Sequence, residues 1–273
     1  MKIINSPSQL QKVLNKSQKS IGFIPTMGAL HLGHRSLIDR AKNENEIVVV
    51  SIFVNPTQFL QGEDLDAYPR KEEVDKKICE LSGVDYLFYP SAESMYGDDE
   101  VSLNAPNVRG YIMEGSSRPG HFSGVLTIVN KLLNIVQPTR AYFGKKDAQQ
   151  LMIIETMVQN LFMDVLIIPM DTVREKDGLA MSSRNVYLNA QERENALNII
   201  KSLRIATQLV MREVLSVVVI QEEMIEALAP LVVEYVTIVN RKFQPIDTVE
   251  IGNTVILVEA LSGSTRLLDN IWI

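Results

Sequence analysis

Two of the three histidines in this 273-residue chain lie close together, at His31 and His34. They belong to the segment TMGALHLGH at 26–34, which directly follows the apolar run IGFI at 21–24. Imidazole groups beside the unpaired backbone N–H groups of a helix start can donate hydrogen bonds to a bound anion. The pattern therefore favours a polyphosphate site, although an isolated HxGH match also arises when surface histidines fall in a loop by chance.

The residues around this histidine pair predict how it is positioned. The apolar run at 21–24 predicts a buried strand, and we expect that strand to end at Pro25 because proline has no N–H to donate. Gly28 permits a tight turn, and the apolar residues that follow repeat at helical spacing, so a helix is predicted to start near Gly33. Both imidazoles would then lie at a helix N-terminus.

Strand patterns alternate with helical patterns through the first half of the chain. Further strands are predicted at 47–54, 84–89, 141–143 and 165–168, and helices after Ser6, after the histidine pair, at 70–82, at 122–136 and from about 147. The β-branched run at 47–54 should be a central strand, buried on both faces. This alternation predicts an α/β fold with a parallel sheet covered by helices.

Residues that could bind a ligand follow three of the predicted strands. The segments are 25–34, NPTQF at 55–59 and GKKD at 144–147. Ligands bind outside the carboxyl ends of the strands in such sheets, so the three segments would meet at one edge. Taken alone, NPT is typical of a plain turn, but the Gln58 that follows it can bind hydroxyl or carboxylate groups. The lysine pair alone is typical of a solvated loop, but a glycine directly before a lysine also suits contact with phosphate.

The pattern changes near residue 170. A charged turn at 174–178 precedes LAMSSRN at 179–185, in which hydroxyl side chains and an arginine could close over phosphates. Asn189, with Glu192 three residues later, predicts the start of a helix that reaches about 214. A helix at 221–228 and strands at 232–239, 254–259 and 265–268 follow. We therefore predict two domains, a nucleotide- and substrate-binding domain at 1–173 and a smaller α+β domain at 174–273 that closes over the site.

Composition and charge exclude several classes of protein. The net charge of −6 argues against extensive binding of nucleic acid, and no apolar run is long enough to span a membrane. Cys79 is the only cysteine, so no internal disulfide is possible; its helical, charged surroundings favour a small core residue over a nucleophile. With no secretory signal pattern at the N-terminus, we expect a cytosolic protein.

Six segments together resemble one enzyme family. They are PTMGALHLGH at 25–34, FVNPTQF at 53–59, YPR at 68–70, RPGHFSGV at 118–125, AYFGKKDAQQ at 141–150 and DGLAMSSRN at 177–185. Their order and spacing resemble the pantothenate synthetases, also called pantoate:beta-alanine ligases. TRLLDN at 265–270 resembles the family's ending, whereas residues 209–230 and Asn240 fit less well. The resemblance implies a Rossmann-like sheet of the HxGH nucleotidylyl transferase type.

The resemblance also implies a reaction in two steps. ATP adenylates (R)-pantoate with loss of pyrophosphate, and the amine of beta-alanine then displaces AMP to give pantothenate, a precursor of coenzyme A. The substrate carboxylate is the nucleophile, so the protein has to supply positioning and compensation of phosphate charge. Mg²⁺ is expected to arrive with the ATP phosphates, with no protein ligand assigned, and the family is expected to be homodimeric.

The residue roles implied by the resemblance fall into three groups. Catalysis is assigned to His31, His34, Lys146 and Arg184; His34 is the family's general acid, although hydrogen-bond donation to phosphate is the simpler physical expectation. Gln58 and Gln150 are expected to hold pantoate, with Gln58 also near beta-alanine. His121 either lines the substrate pocket or caps a helix. The implied ATP-binding residues are Met27, Gly28, Ala29, Leu30, His31, Leu32, Gly33, His34, Gly144, Lys145, Lys146, Asp147, Val173 (through its backbone), Met181, Ser182, Ser183 and Arg184.

Two alternative functions fit part of the same pattern. One is another HxGH enzyme, either a nucleotidyl transferase with a phosphorylated acceptor or an aminoacyl-tRNA-synthetase-like ligase. The acidic composition disfavours a tRNA enzyme, and the neutral Gln58 and Gln150 suit a small hydroxy acid better than a phosphorylated acceptor. The other is a non-catalytic nucleotide sensor, which the intact histidines, lysine and arginine disfavour.

Overall fold

The computed structural model describes residues 1–15 and 17–273, which form two compact units. The first unit comprises residues 1–144 and 153–171, and the second comprises residues 145–152 and 172–273. The domain division predicted at residue 173 stays a prediction. Both units contain helices as well as strands, and each has its own sheet.

The first unit contains a six-stranded parallel sheet with helices around it. Its strands are β1 (Lys2–Ile4), β2 (Ile21–Thr26), β3 (Ile47–Ile52), β4 (Tyr86–Phe88), β5 (Arg140–Gly144) and β6 (Leu166–Met170). Its helices are α1 (Pro7–Leu14), α2 (Leu32–Glu44), α3 (Glu72–Leu81), α4 (Ala92–Met95), α5 (Glu114–Ser117), α6 (His121–Val136) and most of α7 (Ala148–Asn160). The strand order is β1-β4-β3-β2-β5-β6. The predicted α/β class with a parallel sheet and a smaller second domain is confirmed.

The strand before the histidine pair is longer than predicted. β2 continues through Pro25 to Thr26, and all six of its residues pair with β3, from Ile21 opposite Ile47 to Thr26 opposite Ile52. Pro25 lacks the N–H that would donate one hydrogen bond to the sheet, but the pairing of β2 with β3 continues on both sides of it, so the strand is not interrupted. The histidine loop therefore leaves the sheet from Thr26 rather than from Ile24. β3 is central, as predicted.

The second unit contains a three-stranded antiparallel sheet. Its strands are β7 (Val232–Asn240), β8 (Thr254–Ser262) and β9 (Thr265–Trp272), and its long helices are α8 (Ala190–Met211) and α9 (Val217–Ala227). Asn189 caps α8 as predicted, because its side chain accepts from the N–H of Glu192 at 2.9 Å while the Glu192 side chain accepts from the N–H of Asn189. Apolar faces of α8, α9 and the sheet form this unit's core.

Candidate active site

The loop between β2 and α2 has a strained backbone that carries the histidine pair. Gly28 has φ +87° and the next residue, Ala29, has φ +49°, a conformation that few residues with a side chain adopt. A Cβ at Gly28 would lie only 3.0 Å from the Asp75 carboxylate and from Ile52. Thr26 supports the turn, since its hydroxyl accepts from the N–H of Gly28 at 3.2 Å and donates to the carbonyl of Ser51 at 2.8 Å.

Asp75 of α3 holds this loop from a distant part of the chain. Its two carboxylate oxygens accept hydrogen bonds from the N–H groups of Ala29 and Leu30 at 2.8 and 2.7 Å, and the residue is 2% exposed. Burial raises the pKa of the carboxyl, and the two backbone hydrogen bonds oppose that rise. Sequence reasoning missed Asp75. Its spacing of four residues from the buried Cys79 places both on one helix face, which was the only available signal.

The two histidines cap α2 and thereby fix their own tautomers. His31 is the N-cap, and its Nδ1 accepts from the N–H of Gly33 at 3.1 Å. His34 Nδ1 accepts from the N–H of His31 at 3.3 Å, and the ring centroids are 4.1 Å apart. A nitrogen that accepts from an N–H group carries no proton, so both rings are neutral with the proton on Nε2. Each imidazole is therefore a hydrogen-bond donor through Nε2–H.

The turn after β3 is more than the plain turn that NPT alone would predict. Asn55 is 1% exposed; its amide donates to the carbonyl of Gly124 and to Gln58 Oε1, both at 3.2 Å, and its oxygen accepts from the Tyr96 hydroxyl at 2.6 Å. Gln58, also buried, donates to the sulfur of Met27 at 3.0 Å. The structure thus brings the predicted pantoate residue Gln58 next to the predicted nucleotide loop, within the first unit.

Four ionisable side chains, of which Glu114, Arg118 and His121 are buried and Glu63 is partly buried, form a group next to the main chain of Gln58. Arg118 makes a two-point ion pair with Glu63, with both N–O distances 2.7 Å, and donates to Glu114 at 2.9 Å. Burial favours a raised pKa for Glu63, but hydrogen bonds from Arg118 and from the N–H of Leu60 outweigh it and lower the pKa to about 2. His121 completes the group, with its Nε2 3.0 Å from Arg118 Nη1.

In the second unit, the lysine turn Lys145–Asp147 is held by the last strand. The side-chain amide of Asn270 in β9 donates to the carbonyls of Lys145 and Lys146 at 2.9 and 2.8 Å, and its oxygen accepts from the indole N–H of Trp272 at 2.9 Å. Lys146 Nζ lies 3.3 Å from Asp147 Oδ1, whereas Lys145 Nζ lies 5.6 Å from the centre of the Trp272 ring. The adjacent lysines therefore have different surroundings.

The segment that contains the predicted phosphate-binding serines is also ordered by polar contacts. Met181 donates its N–H to the carbonyl of Val173 at 2.9 Å, and Ser182 caps the short 3-10 turn Ser183–Tyr187 by accepting from the N–H of Arg184 at 3.3 Å. Arg174 pairs with the buried Asp269 of β9. Both this turn and the lysine turn pack on β9, so the structure brings these two predicted nucleotide segments together within the second unit.

The remaining predicted site residues have simpler surroundings. Gln150 lies half-buried in the first turn of α7, which belongs to the second unit, and its role stays a prediction. Gly144 ends β5. Cys79 is buried, and burial raises the pKa of its thiol to about 12, which agrees with a core residue. Among residues 1–15 and 17–273, no group of three or more histidine, cysteine or acidic side chains could hold a metal ion, and no helix is long and apolar enough to cross a membrane.

Comparisons with known proteins agree on one family. The sequence model described as Pantoate-beta-alanine ligase matches residues 2–272. Over 273 residues and the full length of both chains, the sequence is 62% identical to the "Pantothenate synthetase" of Sulfurimonas denitrificans and 52% identical to that of Campylobacter fetus. The crystal structure of the pantothenate synthetase from Thermus thermophilus is similar with a TM-score of 0.95, 39% identity and 99% coverage of both chains. A pantoate-beta-alanine ligase from Francisella tularensis, "Complexed with Beta-gamma ATP and Beta-alanine", is 36% identical with a TM-score of 0.84, covering 100% of this chain and 97% of that one.

Proposed function

Because the chain belongs to the pantoate-beta-alanine ligase family, we propose that it joins (R)-pantoate to beta-alanine through a pantoyl adenylate, with consumption of ATP. The observation that supports this best is the histidine pair at the start of α2, with both Nδ1 atoms engaged by the backbone and both Nε2 atoms protonated. Such donors suit a polyphosphate at a helix N-terminus. The proposal includes a homodimer, which rests on the family resemblance alone, and a cytosolic location, which agrees with the single cysteine.

In the first step, a carboxylate oxygen of pantoate attacks the α-phosphorus of ATP. The bond from that phosphorus to the bridging oxygen breaks, and pyrophosphate leaves with the electron pair. Negative charge grows on the phosphate oxygens, so hydrogen bonds from His31 and His34 and positive charge from Lys146 and Arg184 lower the barrier. Mg²⁺ bound to the phosphates would share this charge.

The histidines act in this proposal as neutral donors rather than as imidazolium acids. Protonation of Nδ1 in His34 would place its N–H against the N–H of His31 and remove one of the caps of α2. The positive end of the helix also disfavours a charged ring at that place. The lysine and the arginine therefore supply the positive charge, and the imidazoles supply directed hydrogen bonds.

The nucleotide-binding residues of the proposal come from four segments. Met27–His34, Gly144–Asp147, Val173 and Met181–Arg184 bind ATP. Support comes from the backbone arrangement of these segments. The helix α2 and the 3-10 turn Ser183–Tyr187 have capped N-termini, and Asn270 binds the carbonyls of the lysine turn, which fixes the backbone of that turn.

Pantoate binding is assigned to Gln58 and Gln150. The buried Gln58 amide beside Met27 places a neutral donor and acceptor next to the proposed nucleotide loop, which suits a hydroxyl group of pantoate. In the second step, the beta-alanine amine attacks the acyl carbon, the C–O bond to AMP breaks and the amine loses a proton. No protein nucleophile is required.

A turnover assay with each substrate omitted in turn tests the proposed function. We expect AMP and pyrophosphate to accumulate only when ATP, pantoate and beta-alanine are all present, because the adenylate stays bound until the amine arrives. Replacement of pantoate by a phosphorylated acceptor should give no product. ATP turnover without pantoate would indicate the nucleotidyl transferase instead. Binding of ATP with no turnover under any combination of substrates would indicate the nucleotide sensor.

A further inference from the structure

We propose that His121 is a positioning residue for the pantoate site, holding the main chain of Gln58 through a single fixed tautomer. The proposal rests on the function proposed above, because it takes Gln58 as a pantoate-binding residue. His121 lies outside the HxGH segment, and its ring nitrogens contact Gln58 and Arg118 of the first unit.

The ring of His121 has both of its nitrogen atoms engaged. Nδ1 lies 2.7 Å from the carbonyl oxygen of Gln58, and Nε2 lies 3.0 Å from Nη1 of Arg118. A carbonyl can only accept and a guanidinium can only donate, so Nδ1 carries the proton and Nε2 accepts. His121 is therefore neutral, with the tautomer opposite to that of His31 and His34.

Burial favours the same neutral state, because it lowers the pKa of His121. The positive charge of Arg118 lowers that pKa further, whereas the charges of Glu114 and Glu63 and the hydrogen bond to the Gln58 carbonyl oppose the shift. The distance from Nε2 to Glu114 Oε1 is 3.7 Å, too long for a hydrogen bond. The ring is 5% exposed and packs against Phe122. With both nitrogens used and little surface accessible, His121 cannot also contact substrate, so it acts through Gln58.

Arg118 is held firmly enough to fix the ring. Its guanidinium donates two parallel hydrogen bonds to Glu63 and a third to Glu114, and its side chain is 7% exposed. Two-point arginine–carboxylate pairs are geometrically specific, so the Nη1 atom that faces His121 has little freedom to move. A second bond from Arg118 Nη2 reaches the same Gln58 carbonyl at 3.4 Å.

The turn that carries Gln58 is closely packed, and the side-chain amide of Gln58 is held by hydrogen bonds at both its oxygen and its nitrogen. Gln58 ends the short 3-10 turn Pro56–Gln58, and α6 packs so closely on this turn that a Cβ at Gly124 would collide with the carbonyl of Thr57. The Gln58 amide is then set by Asn55 on one side and Met27 on the other. Loss of the hydrogen bond from His121 would leave the buried Gln58 carbonyl with only the longer hydrogen bond from Arg118 Nη2, and its position would be less well fixed.

Two variants of similar size test the role of Nδ1–H. In His121→Asn the side-chain NH₂ can occupy the place of Nδ1–H, whereas in His121→Gln it reaches the place of Nε2. We expect the KM for pantoate in pyrophosphate exchange to rise at least about tenfold in His121→Gln and to stay within about threefold of the wild type in His121→Asn, with the KM for ATP unchanged in both. Urea unfolding of both variants controls for a general loss of stability.

A tautomer measurement tests the same proposal without any catalytic assay. The chain has only three histidines, so a long-range ¹H–¹⁵N NMR spectrum of the full chain resolves each ring, and we expect Nδ1–H for His121 and Nε2–H for the other two. Equal pantoate KM values in the two variants, or Nε2–H on His121, would overturn the proposal. If the wild type shows no pantoate-dependent exchange, the proposed function fails instead, while the spectrum still decides the tautomer.

Discussion

Replacement of His34 by alanine is expected to lower pantoate-dependent exchange of labelled pyrophosphate into ATP by about 10²-fold or more. The variant loses the Nε2–H group that is proposed to donate to phosphate, and it also loses the Nδ1 acceptor that caps α2 at the N–H of His31. Removal of one preorganised donor from a charge-stabilising site typically has an effect of this size. The measurement is the initial exchange rate at saturating ATP and pantoate.

Two further substitutions at this position separate capping from donation. In His34→Asn the side-chain oxygen can still accept from the N–H of His31, but nothing replaces Nε2–H, so we expect stability near the wild type and exchange as low as in His34→Ala. In His34→Gln the amide NH₂ reaches the place of Nε2–H, and part of the exchange should return. Near-normal exchange in His34→Asn would show that the imidazole matters only as a cap.

A second large loss of pyrophosphate exchange is expected when Lys146 is replaced. Lys146→Met should reduce exchange by about 10²-fold, because Lys146 is proposed to place a positive charge beside the phosphates, where charge develops in the transition state. Lys145→Met is the matched control, since it removes the same charge from the adjacent residue. Lys145 Nζ lies 5.6 Å from the centre of the Trp272 ring, and Lys145 has no assigned catalytic role, so loss of its charge should reduce exchange by less than about tenfold.

Comparison of the two variants distinguishes a specific contact from net charge. Both keep the backbone carbonyls that Asn270 binds, so the lysine turn should retain its shape in each. Equal losses of exchange in Lys145→Met and Lys146→Met would mean that the turn supplies a general positive potential rather than a directed contact from Lys146.

The fold was largely predictable because its signals are local. Alternating apolar runs and capping residues such as Ser6 and Asn189 predicted the strands and helices, and the parallel sheet followed from their order. β1 was missed because three residues carry no periodicity, and β2 was predicted too short because Pro25 removes a donor without ending the pairing. Both errors concern the pairing of a strand with a neighbour that is distant in the sequence, and local sequence patterns do not predict such pairing.

The candidate site was less predictable, since its support comes from distant residues. Asp75 stands in the charged run EEVDKK, where a carboxylate is expected to face solvent, yet it binds two N–H groups more than forty residues earlier in the chain. Asn270 holds carbonyls more than 120 residues away. The sequence left His121 between two roles, and the structure shows a third, a contact with the main chain of Gln58.

Oxygen labelling distinguishes attack of the carboxylate on the α-phosphorus from formation of an acyl phosphate. Pantoate that carries ¹⁸O in its carboxylate is incubated with ATP and beta-alanine, and the products are analysed by mass spectrometry. If the carboxylate attacks the α-phosphorus, one labelled oxygen becomes the bridge to AMP and leaves with it when the amine attacks. We expect one ¹⁸O atom in AMP and none in pyrophosphate. Formation of ADP with ¹⁸O in inorganic phosphate would indicate an acyl phosphate and would contradict the roles proposed for His31, His34, Lys146 and Arg184.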